Sequence, residues 1–234
     1  TLKLSGNFPQ ILLEDTAGSD IDSYIVNNAN GLFIGKTNSP SASNDLFKID
    51  LSGESISTPT LGTSNVRLGN SILSGGNYNV LIGDEAGTAI TTGDNNVALG
   101  FGALNDEDTG NYSTAIGSGT LSKQNNNANN YNTALGFEAG REVITGIRNT
   151  FLGAEAGLDL DEGNDNIAIG YQALTNDTAG SRSVSIGNNS LDAQNLTSAT
   201  DAYNTAVGYA AGGSVTSGVK NTLIGGLAGD AIQD

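Results

Sequence analysis

The chain has 234 residues, of which 37% are hydrophobic and 15% charged, with 33 glycines and no Cys, Met, Trp or His. A formal charge of −16 argues against nucleic acid or an anionic membrane as partner, since both call for clustered Lys and Arg, and no stretch is apolar enough to span a bilayer. Without His or Cys, a catalytic triad, a disulfide framework and most transition-metal sites are excluded.

In chain order, residues 1–60 come first and hold the three prolines, Pro9, Pro40 and Pro59. Apolar runs at 8–13 (FPQILL), 23–26 (SYIV), 31–34 (GLFI) and 46–51 (LFKIDL) are separated by turn-forming clusters at 15–22 and 36–44. That alternation predicts a small antiparallel β-sandwich or meander. Residues 52–64 are small and turn-forming without periodicity, and read as a linker. The expected division is a small β domain plus linker over 1–60 and a repeat region over 61–234. A Thr at position 1 with no basic-plus-apolar leader predicts a processed product or a fragment.

From residue 65 one motif recurs: Asn, then Val or Thr, a small residue, Leu or Ile, and Gly. Its glycines are Gly69, Gly83, Gly100, Gly117, Gly136, Gly153, Gly170, Gly187, Gly208 and Gly225, and six of the nine spacings equal 17. The residue before each glycine is aliphatic, as in Leu99, Leu135 and Ile169, and the one two places earlier is Val, Ile or Thr, as in Val97, Thr133 and Ile167. Alternation along a strand puts these two columns on one face, which is predicted to be the buried stripe. The small residue between them, such as Ala98 or Ala134, faces the other way. A second glycine seven places before the first, as in Gly93 and Gly163, predicts a turn with positive φ. Asn129 and Asp201 replace it in two lengthened repeats.

The predicted fold is all-β: a parallel β-roll or solenoid of about ten repeats, with one strand of about five residues and a polar return in each. Two aliphatic side chains per repeat make a thin core against the entropy of ordering every residue. Association of identical chains around a common axis is the simplest remedy.

Several residue sets invite functional readings. Acids at Asp106, Glu107 and Asp108, and at Asp159, Asp161, Glu162 and Asp165, resemble the paired carboxylates of glycan depolymerases. They lie in predicted exposed turns without surrounding aromatics, so the enzyme reading is set aside and a solvated surface expected. The turn 159–165 has oxygen ligands alternating around Gly163, as calcium loops do, but lacks the closing Glu, and a solvated turn is favoured over a Ca2+ site. No other cofactor is implied. Aromatics follow the repeat glycine at Phe101, Phe137, Tyr171 and Tyr209. Tyr78, Tyr112, Tyr131 and Tyr203 lie five places before it, in the column that also holds Arg148, Arg182 and Lys220. These sets fit packing between coils or chains better than an outward glycan ladder. An ice-binding surface is rejected, because the Thr column is mixed with Val and Ile. The lengthened repeats, 121–131 and 191–203, are expected to form surface loops. Candidate receptor or glycan contacts there are Asn126, Asn127, Asn129, Tyr131, Thr197, Thr200 and Tyr203.

The motif resembles the head repeat of trimeric autotransporter adhesins, here as NNVALG (95–100), YNTALG (131–136), DNIAIG (165–170) and YNTAVG (203–208). The repeat of that family is usually shorter than this one. The longer form, with Ala-Gly after the repeat glycine, is similar to stretches in tail fibres of marine phages, and FPQILLEDTAG (8–18) with GLFIG (31–35) resembles their small trimeric β-domains. The resemblance covers residues ~65–229 well and 1–60 loosely. It implies a homotrimeric fibre shaft in a virion, outside the cell, joined to other fibre or baseplate proteins and positioned to meet a host glycan or protein. A bacterial trimeric adhesin head is the alternative, and a depolymerase tailspike a minor one.

Overall fold

A computed structural model describes residues 65–68 and 76–231, together with the backbone of five strands between residues 10 and 56. These strands are β1 (Gln10–Leu13), β2 (Ser23–Asn28), β3 (Gly31–Gly35), β4 (Asp45–Asp50) and β5 (Ser55–Ile56). They pair antiparallel in chain order, for example Val26 with Phe33 and Phe33 with Lys48. The first four strands overlap the apolar runs of the sequence. The two-residue β5 falls within residues 52–64 and pairs with β4. Pro9, Pro40, Pro59 and the intervening turns lie outside the described residues.

The repeat forms a parallel β-solenoid of about nine turns. Its strands are β6 (Val66–Leu68), β7 (Val80–Ile82), β8 (Val97–Leu99), β9 (Thr114–Ile116), β10 (Thr133–Leu135), β11 (Thr150–Leu152) and β12 (Ile167–Ile169). After the short strand β13 (Gly180–Ser181) come β14 (Val184–Ile186), β15 (Thr200–Asp201), β16 (Thr205–Val207) and β17 (Thr222–Ile224). All but β13 and β15 belong to one ten-stranded parallel sheet in chain order, with motif positions in register, such as Thr133 with Thr150 and Leu135 with Leu152. The β13 and β15 segments form a second ladder beside a lengthened repeat. The strands are shorter than expected, three residues each. The returns are irregular, yet their backbone also bonds coil to coil: Gly87 N–H donates to Ala103 O at 2.8 Å and Arg148 N–H to Asn130 O at 2.8 Å. Backbone polar groups are thereby paired in the returns as well as in the strands. There is no helix among the described residues, so none is long and apolar enough to cross a membrane.

The facing of the strands is the reverse of the sequence expectation. The middle residue points inward, and Ala98, Ala115, Ala134, Ala168 and Ala206 are fully buried. The flanking aliphatics point outward: Leu99, Leu135 and Leu152 are 41%, 46% and 43% exposed, and Ile224 is 70% exposed. The physical reason is the narrow lumen. The return supplies the bulk, from Ile90, Leu104, Leu121, Val143, Leu160 and Leu174, and only a small strand residue fits opposite. A larger central residue occurs where the return has glycine. Phe151 is 1% exposed, and a Cβ on Gly157 or Gly140 would lie 2.3 or 2.7 Å from its ring.

Two glycine columns follow from close stacking. The repeat glycine has positive φ, and a Cβ on Gly136 (φ +144°) would lie 2.4 Å from the carbonyl oxygen of Gly153 one coil on. The glycine seven places earlier does not have the positive φ expected of it. Gly93 and Gly163 are glycine because a Cβ there would meet the next coil's carbonyl oxygen at 2.5 and 2.2 Å. Left-handed backbone falls instead on Tyr78, Tyr112, Tyr131 and Arg148, at φ of 58°, 63°, 53° and 58°, and on their equivalents. Those residues turn the corner just before each strand.

Candidate functional site

The residue before each strand is Asn or Ser and is buried in most coils, as in Asn79, Asn96, Asn149 and Asn166. Each such Asn acts in two directions. The carboxamide oxygen of Asn149 accepts from the amide of Asn166, and its Nδ2 donates to Gly163 O, at 2.9 and 2.8 Å. The ladder continues through Asn166, which accepts from Ser183 N–H and donates to Gly180 O. Buried polar groups are expensive unless bonded, so this ladder fixes the axial rise of the coils.

The ladder carries Ser at two places, Ser113 and Ser183, and at both a lengthened repeat fills the gap from inside. Gln124 Nε2 donates to Ser113 Oγ at 2.8 Å and to the Glu107 carboxylate at 2.7 Å, while its carbonyl accepts from Asn132 at 2.8 Å. Gln194 repeats this with Ser183, Asp177 and Asn204. Glu107 is fully buried and also accepts from Gly110 N–H and Asn130 Nδ2. Burial pushes its carboxyl above the ordinary glutamate range, against the opposing pull of those donors. Two sequence expectations are corrected here. Glu107 is not a solvated acid, and the lengthened repeats are not wholly surface loops. The signal that marks these residues is a constant offset between the two lengthened repeats, from 107 to 177, 113 to 183 and 124 to 194.

The remaining parts of the lengthened repeats do reach solvent. Asn127 and Asn129 are exposed and Asn126 is half-buried. Asn126 Nδ2 donates to Thr145 O, Asn127 Oδ1 accepts from Thr109, and Asn129 Oδ1 accepts from Asn111. Tyr131 stacks on Tyr112 with ring centroids 5.2 Å apart and planes 5° from parallel. That contact joins two successive coils. Thr197 is exposed, and Thr200 Oγ1 donates to Ser198 O. The Tyr203 ring lies 5.7 Å from the Arg182 guanidinium, and its hydroxyl is 3.5 Å from Asp201. The seven candidates therefore form two groups, one per lengthened repeat. Thr200 also lines an open groove of about 370 Å3 with Arg148, Asp165, Arg182 and Asp201.

The charges of that groove are already paired. Arg148 binds Asp165 through both oxygens at 2.6 and 2.9 Å, and Arg182 pairs with Asp201. The guanidinium holds the Asp165 carboxyl below its ordinary range. Two residues of the suggested calcium loop at 159–165 are committed elsewhere: Asp165 to Arg148, and Asn164 Oδ1 to the backbone N–H of Ile147. Among the described residues no three acidic side chains converge as a metal site.

Among the described residues the outward face of the ten-stranded sheet is left uncovered in the single chain. Its two aliphatic or β-branched columns run along the solenoid and are bordered by two corner columns. One border is the left-handed column from Tyr78 to Lys220. The other, just after the repeat glycine, alternates between large and small: Phe101, Ser118, Phe137, Ala154, Tyr171, Asn188, Tyr209 and Gly226. Phe101, Phe137, Tyr171 and Tyr209 are 56%, 51%, 45% and 63% exposed. Comparison with protein-family models, curated proteins and solved structures found no match.

Proposed function

We propose that this chain is a structural segment of a trimeric extracellular fibre, of the phage tail-fibre type, that projects a host-contacting element and carries no catalysis of its own. The observation that supports it most is the outward apolar face of the sheet, with Leu99, Leu135, Leu152, Ile167 and Ile224 uncovered in the single chain. A soluble protein rarely leaves so long an apolar stripe in water. The stripe repeats once per coil, at the ~4.8 Å spacing of β-strands. A partner that meets every coil needs the same rise, and another copy of this chain has it. Three copies around an axis along the solenoid cover three such faces together. The motif resemblance supplies the number three and the virion setting, with other fibre or baseplate proteins at the ends. The exposed amides and hydroxyls of the two lengthened repeats, Asn127, Asn129 and Thr197 among them, with half-buried Thr200 beside them, are the surface offered to a host glycan or protein. Threefold repetition raises their effective affinity.

Light scattering on the purified chain is expected to give about three times 23.7 kDa. A stable, folded monomer would sink this reading.

A further inference from the structure

The apolar stripe alone does not set how three chains line up. It is nearly the same on every coil, so sliding one chain by a single coil loses only the terminal contact. Register is weakly specified where a surface repeats without variation. The two borders of the face do vary, and they vary in opposite senses. Where the corner residue before the strand is long, the residue after the repeat glycine on the same coil is short: Tyr112 with Ser118, Arg148 with Ala154, Arg182 with Asn188, Lys220 with Gly226. Where the first is short, the second is aromatic: Asn95 with Phe101 and Asp165 with Tyr171. Both borders are aromatic on the coils that follow the lengthened repeats, at Tyr131 with Phe137 and Tyr203 with Tyr209. Two of the long residues are held along the axis, Tyr112 by stacking on Tyr131 and Arg148 by Asp165.

We infer that the borders form a register key: in the assembly the left-handed border of one copy packs against the aromatic border of the next copy at the same height, long beside short on the alternating coils and aromatic beside aromatic on the two coils that follow the lengthened repeats. The partner is a second, parallel copy of this chain, and the inference rests on the trimeric reading. In cyclic association each interface joins two different borders, so one chain's column is matched to the other column of its neighbour. A one-coil slip sets Arg148 beside Tyr171 and leaves Asp165 facing Asn188. That costs overpacking on one coil and a void on the next. A two-coil slip keeps long beside short, with Arg148 beside Asn188, and costs the two coils of stripe that it uncovers. An antiparallel copy would reverse the order of coils and lose the match.

The test uses the full chain, which has no native cysteine. In Arg148→Cys/Ala154→Cys the thiols sit on opposite borders of one coil, roughly 15–20 Å apart within a chain at ~3.3 Å per residue. A disulfide needs Cα atoms within about 7 Å, so only neighbouring chains can be joined. Mild oxidation is expected to give a covalent three-chain product on a boiled, non-reducing gel. Arg148→Cys/Asn188→Cys, offset by two coils or roughly 10 Å, is expected to stay uncrosslinked. Equal or greater crosslinking in the offset pair overturns the inference. A second pair of variants guards against a misfolded cysteine mutant. Ala154→Tyr makes both borders long and is expected to lower the melting temperature of the assembly by a few degrees, and adding Arg148→Asn to recover most of the loss. No loss, or no recovery, overturns it. A wild-type chain that is monomeric by light scattering removes the trimeric reading first, whereas a trimer that crosslinks out of register removes this inference alone.

Discussion

Gln124 Nε2 lies 2.7 Å from the buried carboxylate of Glu107. One coil before Glu107 in that column is Ile90, and one coil beyond Gln124 is Val143, so a polar pair is set between apolar coils, as Asp177 and Gln194 are between Leu160 and Val215. The amide also bonds Ser113 and Asn132. Gln124→Ala therefore leaves several buried groups short of a partner at once. A cost of about 1–3 kcal/mol per chain is expected, read as a lower melting temperature. Trimming the lengthened repeat from its exposed end, with Gln124 kept, is expected to cost less than this single substitution.

The pH response of Glu107 has a definite sign. Burial raises its carboxyl above the ordinary range. A group whose folded value is raised contributes stability that is fully present below its unfolded value and is lost as pH rises through the folded one. Glu107→Gln removes the ionisation. The stability of wild type relative to this variant is expected to decline as pH rises above about 4, the ordinary glutamate value. Paired thermal melts across that range check it, and a wild-type advantage that grows with pH contradicts it.

Phe151 fills a space that two glycines leave open. Phe151→Ala is expected to cost about 3–5 kcal/mol through a cavity. The column of Gly157 carries Leu on four other coils, at Leu104, Leu121, Leu174 and Leu191, with φ of 50°, 48°, 55° and 47°. Gly157→Leu on top of Phe151→Ala recreates the small-plus-Leu packing of those coils. The double variant is expected to melt above Phe151→Ala, and Gly157→Leu alone below wild type because its side chain meets the ring.

Gly136 combines a φ of +144° with the carbonyl of Gly153 where a Cβ would go. Gly136→Ala is expected to destabilise by more than the roughly 1–3 kcal/mol typical of backbone strain alone, since the clash is with backbone that has no rotamer to yield. Gly102, with φ +64° and nothing within 4 Å of its Cβ position, is the control. Gly102→Asn should be nearly neutral, since Asn tolerates that region and Glu138 and Gln172 occupy the same column at φ of 52° and 53°.

Much of the architecture is legible in the sequence alone. The regular spacing of the repeat glycine implies the solenoid, its parallel order and the column register, because hydrogen bonding between coils holds equivalent residues level. Which face of the strand is inside stays hidden. Ala134 flanked by Thr133 and Leu135 reads as a small residue facing outward, since larger apolar side chains usually win the interior. Here Leu104, Leu121 and Leu174 from the return fill the lumen, and no pattern within the strand reveals them. The buried Glu107 and Gln124 are hidden for a related reason: charged and amide residues in a glycine-rich return look solvated. Only the recurrence of the pair as Asp177 and Gln194 marks them as structural.

The reversed facing yields the sharpest separation between folding and assembly. Leu135 is 46% exposed and lies in the outward row, so in a single chain it contributes little to the core. Its inward neighbour Ala134 is fully buried. Leu135→Glu should leave the coil intact and place a carboxylate where the trimer reading puts an apolar contact. An unpaired charge in such a contact costs on the order of 3–5 kcal/mol, and threefold symmetry brings three together. The expected outcome is a folded chain with the β-rich circular dichroism of wild type and one-third of its mass by light scattering. Ala134→Glu is the contrast: it should prevent folding, because Ala134 is fully buried and a glutamate side chain there overfills a lumen that admits only a small strand residue at that coil. A Leu135→Glu protein that keeps the wild-type mass would show that the outward row meets solvent in the assembly, and that another face of the solenoid holds the chains together.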